Sequence, residues 1–182
     1  MQAEKSTHDA LSTAQKVALA KGPDAPARGD KAKAVDIEYT TEWLLAQADP
    51  AKKSAGDKQW HCLKEALYFE SRGEKIKGQF AVAEVILNRA ASPAYPNSVC
   101  GVIAQGNSKN CQFSYNCDGI PEVMHEDEAA DIAGRIARVM LDGAPRTLTA
   151  GATHFHTHAV NPRWSNVFEQ TASIGQHVFY RQ

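Results

Sequence analysis

The feature that most constrains this chain is an acidic residue on the apolar face of a predicted helix. Leu63 and Leu67 recur at the spacing of one helix face, and Glu70 falls three residues further along it. Arg72-Gly73 then ends the helix, so Glu70 lies in its last turn. Burial raises the pKa of a carboxyl group, and general acid catalysis needs an acid that stays protonated near neutral pH. The pattern predicts a catalytic acid at position 70; a structural carboxylate paired with Arg72 or Lys64 is the alternative.

Composition and charge exclude several classes of function. The 182 residues, of which 43% are hydrophobic, suit one domain and a tail. The formal net charge is −1, so the chain has no basic field to attract nucleic acid or anionic lipid. No apolar run approaches the ~18 residues that a membrane span requires. We therefore expect a monomer with no nucleic-acid partner and no membrane span.

The sequence divides into a leader and a domain. Residues 1 to about 35 are rich in Ala, Lys, Asp, Gly and Pro and lack a sustained apolar face, which predicts a flexible leader. We place the whole leader at 1–56 and the catalytic domain at 57–182. A short helix at 39–48 is expected to dock onto the domain through three large apolar side chains: Trp43, Leu44 and Leu45.

Apolar periodicity predicts the order of elements within the domain. It indicates three longer helices and one short helix: 58–71, 76–92, 126–142 and 99–103. Two alternating runs near the C-terminus, 153–158 and 176–181, predict a small antiparallel sheet. Helices first and a small sheet late predict a helix-dominated α+β fold.

Several motifs follow one another in a fixed order. Residues 67–74 read LYFESRGE, and GQFAVA at 78–83, ILNR at 86–89 and ATHF at 152–155 come after them. Over residues 60–181 the chain resembles the cell-wall hydrolase family of the spore cortex-lytic enzymes. The resemblance implies a lysozyme-like domain that cleaves the glycan strands of peptidoglycan without a cofactor. It also implies that the first Glu of the ESRGE string, Glu70, is the catalytic acid.

Glycan cleavage ordinarily uses two carboxylates, but in this chain only Glu70 lies at a position that clearly predicts a catalytic role. Glu74 follows the helix-ending Gly73 and is expected to cap or orient the next helix. Asp118 is the outside candidate, although Asp-Gly is also a turn signal. The resemblance to lytic transglycosylases implies that a single Glu acts first as acid and then as base. The product would then be a 1,6-anhydro sugar, formed by cleavage between N-acetylmuramic acid and N-acetylglucosamine.

The location follows from this substrate. The N-terminus lacks the apolar segment of a signal peptide, yet an enzyme that cleaves peptidoglycan must reach the wall. We expect a periplasmic or extracellular protein whose export signal is not present in this sequence. A phage-type endolysin released from the cytoplasm is the alternative.

Three histidines form the rival site. His154, His156 and His158 share one face if their segment is a strand, and such a face can bind zinc and activate water. A zinc-dependent amidase or peptidase is therefore an alternative function, although no HExxH spacing is present. The family resemblance covers only His154, which we expect to donate a hydrogen bond in the cleft or to orient Glu70. A non-catalytic wall-binding module is the third possibility.

Sugar binding needs flat aromatic surfaces together with amide and hydroxyl groups. The polar loop before Asp118 and the segment around the histidines supply this chemistry. The candidate substrate-binding residues are Gln112, Phe113, Ser114, Tyr115, Asp118, His154, Phe155 and Trp164. Trp43 and Trp60 lie in apolar helical patterns and are expected to be packing residues.

Four cysteines lie within the domain: Cys62, Cys100, Cys111 and Cys117. Their spacings match no CxxC motif, and an even number in an exported domain favours two disulfides with three possible pairings. Four reduced, buried thiols are the alternative. A bond between Cys111 and Cys117 would staple a short polar loop and order a substrate cleft.

Overall fold

The fold is built around one helix, Ile76–Ala91, which is buried along most of its length. The structure is a computed structural model that describes residues 36–47, 49, 54, 56–107 and 110–182. Its helices are α1 (Thr41–Leu45), α2 (Lys58–Ser71), α3 (Ile76–Ala91), α4 (Val99–Ile103) and α5 (Asp127–Leu141). Its strands are β1 (Gly106–Asn107), β2 (Asn110–Cys111), β3 (His154–Thr157), β4 (Glu169–Ile174) and β5 (His177–Arg181). This order confirms the predicted helix-dominated α+β fold with a small late antiparallel sheet. The leader predicted for residues 1–35 lies outside the described residues.

Helix α2 packs against α5 through a close approach of their backbones. The Asp57 carboxylate begins α2 by accepting hydrogen bonds from the backbone N–H groups of Gln59 (3.0 Å) and Trp60 (3.2 Å). The Trp60 indole N–H donates to the Gly134 carbonyl of α5 at 2.8 Å. A Cβ on Gly134 would come within 3.0 Å of the indole ring, so this contact requires a residue without a side chain. Trp60 is the packing residue that its helical pattern predicts.

Helix α3 carries two charged side chains into the core, each with backbone partners. The Glu84 carboxylate accepts hydrogen bonds from the N–H groups of Leu148 and Thr149, both at 2.9 Å, and from the Thr149 hydroxyl at 2.8 Å. The Arg89 guanidinium donates to the Thr153 carbonyl. Buried charges are tolerated when they are hydrogen-bonded in this way. Both contacts fix the segment that leads into β3.

The C-terminal sheet has the strand order β3–β5–β4 and is antiparallel throughout. His154 pairs with Tyr180, and Phe155 pairs with Phe179, so alternate residues of β3 and β5 face opposite sides. Phe155 and Phe179 face the helical core. Strand β4 was not predicted, because its sequence EQTASI has no clear alternation of apolar and polar residues.

The two disulfides resolve the pairing that the spacing left open. Cys62 is bonded to Cys100 (Cα–Cα 5.3 Å), which ties α2 to α4. Cys111 is bonded to Cys117 (Cα–Cα 5.9 Å), which closes the short polar loop. The described residues include no reduced cysteine. The prediction of two disulfides is therefore confirmed.

The short helix α1 lies within its predicted range. Leu44 is fully buried and Trp43 is partly buried against the core, but Leu45 is 51% exposed. The prediction that Leu45 docks is wrong, because neighbouring helical residues point about 100° apart and only one face of α1 meets the domain. Ile37 also joins the core, which thus begins well before residue 57. None of the described helices is long and apolar enough to cross a lipid bilayer.

Candidate active site

Glu70 lies in the last turn of α2 and is half-buried. Burial raises the pKa of its carboxyl group from 4.5 to about 7, and no charged neighbour contributes to this shift. An isolated desolvated carboxyl group favours its neutral form. At neutral pH about half of the molecules therefore carry Glu70 in its protonated form, which is the form that a general acid requires.

Tyr115 is the residue most clearly coupled to Glu70. Burial raises the pKa of its hydroxyl, and the negative charges of Glu65, Glu70 and Glu122 raise it further. Its ring stacks on Phe69 of α2, with centroids 4.8 Å apart and planes at 23°. The Cys111–Cys117 loop thus brings Tyr115 against the helix end that carries Glu70.

The Tyr115 hydroxyl is buried and makes no well-formed hydrogen bond to a described residue. The side-chain amide of the adjacent Asn116 donates instead to the Ile103 carbonyl at 3.0 Å. A buried hydroxyl without a partner is uncommon in folded proteins. Tyr115 therefore places a hydroxyl without a well-formed hydrogen bond near the helix turn that carries Glu70.

Other candidates in this loop differ in their exposure. Gln112, Ser114 and Asp118 are exposed, and the Asp118 carboxylate accepts a hydrogen bond from the Ile120 N–H at 2.8 Å, as turn residues do. Phe113 is only 1% exposed and packs in the core. Its prediction as a sugar-stacking surface is wrong, because the loop folds this ring inward over the Arg89 guanidinium, 5.9 Å from the ring centre.

Glu74 is buried and links the turn after α2 to the C-terminal sheet, a contact that we call the clamp, rather than capping a helix. Its carboxylate accepts hydrogen bonds from the Gln176 N–H (2.6 Å) and from Nδ1 of His177 (2.9 Å). Burial lowers the pKa of His177, although Glu74 opposes this shift, so a neutral imidazole donates its Nδ1 proton. No side chain caps the N-terminus of α3, so the prediction that Glu74 caps this helix is wrong, whereas an orienting role for Glu74 stays a prediction.

Space for the Glu74 carboxylate depends on the turn between β4 and β5. A Cβ on Gly175 would overlap the Glu74 carboxylate, and Gly175 has a φ of +61°, which side chains disfavour. The turn that follows Glu70 is therefore locked onto the sheet. Sequence reasoning missed this pairing: the alternating run at 176–181 predicted a strand but assigned no role to His177.

The histidine strand forms an aromatic cluster. Both ring nitrogens of His156 are engaged, with the Thr157 carbonyl at 2.8 Å and the Tyr180 hydroxyl at 3.0 Å. Burial and the nearby Arg89 charge lower the pKa of His154 to about 4, and its Nδ1 lies 3.1 Å from the Thr153 hydroxyl. Within the described ranges, no group of three His, Cys, Asp or Glu residues is arranged to hold a metal ion. The zinc alternative therefore has no ligand set in this part of the chain.

Trp164 anchors the segment between β3 and β4 on this cluster. Its ring is 5.2 Å from His154, 5.5 Å from His156 and 5.3 Å from Tyr180. Phe155, on the other face, packs on His177 at 5.3 Å. The structure thus groups the predicted residues into two clusters: Glu70 with Tyr115, and His154 and His156 with Trp164. His158 is exposed and lies outside both clusters. The Glu74–His177 contact connects the sheet of the second cluster to the turn beside Glu70.

A buried carboxyl group with a pKa raised to about 7 has the chemistry that general acid catalysis uses. The amino-acid sequence identifies the family of the chain. It belongs to the cell wall hydrolase family, because the family model described as Cell Wall Hydrolase matches residues 73–180. The match begins three residues after Glu70.

Similar curated proteins are spore cortex-lytic enzymes. That of Halalkalibacterium halodurans is 36% identical over 132 residues, which cover 71% of this chain and 36% of the other protein. That of Bacillus subtilis is 61% identical over 41 residues, which cover 22% of this chain and 13% of the other. The matched regions thus span much less than half the length of these relatives.

Solved structures of catalytic domains match over more of their length. The catalytic domain of the germination-specific lytic transglycosylase SleB from Bacillus anthracis has a TM-score of 0.56 and 31% identity, covering 69% of this chain and 95% of that one. The catalytic domain of the Bacillus cereus SleB protein has a TM-score of 0.53 and 33% identity, covering 68% and 89%. The predicted family and its fold are confirmed.

Proposed function

We propose that the protein cleaves the glycan strands of peptidoglycan between N-acetylmuramic acid and N-acetylglucosamine, as a lytic transglycosylase. The observation that carries the proposal is the half-buried carboxyl group of Glu70, whose pKa is raised to about 7 at the end of α2. The family assignment and the likeness to a lytic transglycosylase catalytic domain support the same reaction. We propose the cell wall as its site of action, which implies a periplasmic or extracellular protein, and we propose that it acts as a monomer.

In this reaction one group acts first as an acid and then as a base. The Glu70 O–H donates its proton to the glycosidic oxygen, and the bond from that oxygen to C1 of N-acetylmuramic acid breaks with oxocarbenium character. N-acetylglucosamine leaves as an alcohol, and Glu70 is left as a carboxylate. That carboxylate then removes the proton from the C6 hydroxyl of the N-acetylmuramic acid, whose oxygen bonds to C1. The product is a 1,6-anhydro sugar, Glu70 recovers its proton, and no water is consumed.

The exposed polar side chains near Tyr115 are the proposed sugar-binding groups. Gln112, Ser114 and Asp118 are free of the core and can hydrogen-bond sugar hydroxyl or acetamido groups. The Tyr115 hydroxyl, which lacks a well-formed hydrogen bond, is proposed to orient the Glu70 carboxylate once that group has lost its proton. His154, Phe155 and Trp164 are proposed as a further binding surface through the smaller part of each side chain that stays exposed.

The test is mass spectrometry of fragments released from purified peptidoglycan. The wild-type protein is expected to release anhydro-ended fragments, and Glu70→Gln is expected to reduce their rate of release by at least a thousandfold. Glu65→Gln is the matched control, since it changes the same group five residues earlier on α2. Reducing-ended fragments would contradict the transglycosylase chemistry, and an active Glu70→Gln protein would contradict the assignment of the acid.

A further inference from the structure

The His154 ring has one nitrogen that the fold holds and one that it leaves open. Its Nδ1 lies 3.1 Å from the Thr153 hydroxyl. Its Nε2 has no hydrogen-bond partner among the residues that the structure describes and is not one of their fully buried polar atoms, so it reaches solvent. His156 differs, because both of its ring nitrogens are engaged. His154 therefore presents a ring nitrogen that the fold does not use.

The Thr153 hydroxyl decides which nitrogen of this ring carries the proton. The hydroxyl belongs to a half-buried residue, and its hydrogen-bond partner within the described ranges is the His154 ring. If Nδ1 carried the proton, the hydroxyl would accept a hydrogen bond and its own proton would lack an acceptor there. If Nε2 carries the proton, the hydroxyl donates to Nδ1 and both groups are satisfied. The contact therefore favours a ring with its N–H bond at Nε2.

Arg89 keeps the ring neutral. Its guanidinium belongs to a side chain that is buried in the core, and its Nε donates to the carbonyl of Thr153, the residue before His154. Burial and this nearby positive charge disfavour an imidazolium ion and lower the pKa of His154 to about 4. At neutral pH, His154 is thus an uncharged hydrogen-bond donor.

Arg89 also connects His154 to the loop of the Glu70 site. The guanidinium lies 5.9 Å from the ring centre of Phe113, which belongs to the same disulfide-closed loop as Tyr115. The loop and the guanidinium therefore stand between Glu70 and His154. With this separation, His154 would meet a neighbouring sugar of a bound strand rather than the bond that breaks.

Trp164 supplies a second open donor beside the His154 ring. The two ring centres lie 5.2 Å apart, and the indole is partly exposed. The indole N–H makes no hydrogen bond within the described part of the chain and is not fully buried. Sugars bind proteins through flat aromatic surfaces and a few directed hydrogen bonds. Two uncharged donors on neighbouring rings fit a neutral sugar substituent that has both an acceptor oxygen and apolar atoms, as an acetamido group does.

We propose that His154 and Trp164 form a subsite that binds the acetamido group of a glycan sugar. The acetamido carbonyl accepts a hydrogen bond from Nε2 of His154, and the methyl group packs on the indole ring. Thr153 and Arg89 are positioning residues, because they hold the proton of the ring at Nε2. The inference rests on the proposed function, since it assigns a sugar next to the bond that is cleaved.

Nitrogen-15 NMR of the histidine-labelled full chain tests the positioning. At pH 7, Nε2 of His154 is expected to give the resonance of a protonated nitrogen and Nδ1 that of an unprotonated one. Thr153→Val removes the hydroxyl and is expected to produce a mixture of the two neutral forms. Ser173→Ala is the matched control, because it removes a hydroxyl 3.5 Å from Nε2 of His158 on the same sheet and should leave the His154 resonances unchanged. A wild-type ring that is protonated at Nδ1 would overturn the proposal.

Oligosaccharide binding tests the ligand. The probes are chitotetraose and cellotetraose, two neutral tetrasaccharides that differ in the acetamido group at C2. They are titrated into the Glu70→Gln chain, so that neither is cleaved, and followed by NMR. Chitotetraose is expected to bind about tenfold more tightly, the value of one net hydrogen bond. Equal binding of the two probes, or no binding of either at millimolar concentration, would overturn the subsite.

Two substitutions of His154 test the donor in the same Glu70→Gln chain. His154→Leu is expected to remove the preference for chitotetraose. His154→Gln keeps an uncharged N–H donor on a side chain of similar reach and is expected to keep most of the preference. If the leucine variant still prefers chitotetraose as strongly as the unsubstituted ring does, His154 is not the donor and the proposal is wrong.

Cleavage kinetics separate this inference from the proposed function. In the otherwise unchanged chain, His154→Leu is expected to raise KM on glycan strands about tenfold with little change in kcat, as loss of uniform binding does. An unchanged KM would overturn the subsite and leave the proposed function intact. Absence of cleavage by the wild type, with the preference for chitotetraose intact, would contradict the glycan-cleaving function and support the subsite.

Discussion

The Glu74 carboxylate lies 2.9 Å from Nδ1 of His177, and both side chains are about 5% exposed. Glu74 belongs to the turn between α2 and α3, four residues after Glu70, whereas His177 begins β5. This contact therefore spans two parts of the chain that are far apart in sequence. It fixes the end of the helix that holds the candidate acid against the sheet.

Replacing Glu74 should destabilise the fold more than replacing an exposed acid. Glu74→Ala removes the acceptor for the buried His177 ring and for the Gln176 N–H, and is expected to lower the free energy of unfolding by about 3 kcal/mol. Urea unfolding gives the measurement. Glu169→Ala breaks an exposed ion pair with Arg181 and should change little. Equal losses in the two variants would show that the clamp has no special role.

Stability should fall in mild acid because two histidines resist protonation in the folded state. Burial lowers the pKa of both, to about 4 for His154, while an unfolded histidine titrates near 6.5. Their stabilising contribution is complete above pH 6.5 and is lost as the pH falls toward 4. Because the His154 ring is only partly buried, solvent screening reduces its share to about 1–2 kcal/mol.

Thermal unfolding between pH 7.5 and 4.5 measures this effect. His154→Phe is expected to flatten the dependence of Tm on pH, whereas His158→Gln, at an exposed histidine, should keep the wild-type slope. The assignment is wrong if both variants follow the wild-type curve.

The two disulfides should differ in their contribution to stability. The chain-entropy model gives roughly 4 kcal/mol for Cys62–Cys100, with a sequence separation of 38, and roughly 2 kcal/mol for Cys111–Cys117, with a separation of 6. We expect paired Cys→Ser variants to follow this order in urea unfolding. Loss of the Cys111–Cys117 disulfide should nonetheless reduce activity more than loss of Cys62–Cys100, because the loop that it closes positions Tyr115 against the Glu70 helix. The reverse order of activities would contradict this role of the loop.

Local patterns predicted the elements whose side chains alternate between core and solvent. The spacing from Leu63 to Glu70 gave the helix end correctly, and α5 follows its apolar stripe. The sequence could not reveal which loop residues turn inward. The Phe113 ring packs on Arg89, and the Tyr115 ring packs on Phe69. Neither partner is near in sequence. The clamp between Glu74 and His177 likewise depends on tertiary contacts that no short window contains.

Removing the Glu70 charge should stabilise the protein at alkaline pH. The folded pKa of about 7 lies above the ordinary 4.5, so the folded state loses stability as the pH rises from 4.5 to 7. Glu70→Gln has no such penalty and is expected to be about 2–3 kcal/mol more stable than the wild type at pH 8, with no difference at pH 4. Urea unfolding at the two pH values makes the comparison. A variant less stable than the wild type at pH 8 would show that Glu70 is held by favourable contacts rather than merely desolvated.

Activity should depend on the protonated form of the same group. Because the pKa of Glu70 is raised to about 7, kcat/KM on glycan strands is expected to fall tenfold per pH unit above pH 7. Initial rates of fragment release from pH 5 to 9 give the profile. Glu65→Gln should keep the midpoint of the alkaline limb, since Glu65 is not the proton donor. Glu70→Asp retains a carboxyl group on a shorter side chain, so any residual activity should keep an alkaline limb. If kcat/KM of the wild type stays level up to pH 9, the proton that reaches the glycosidic oxygen does not come from Glu70.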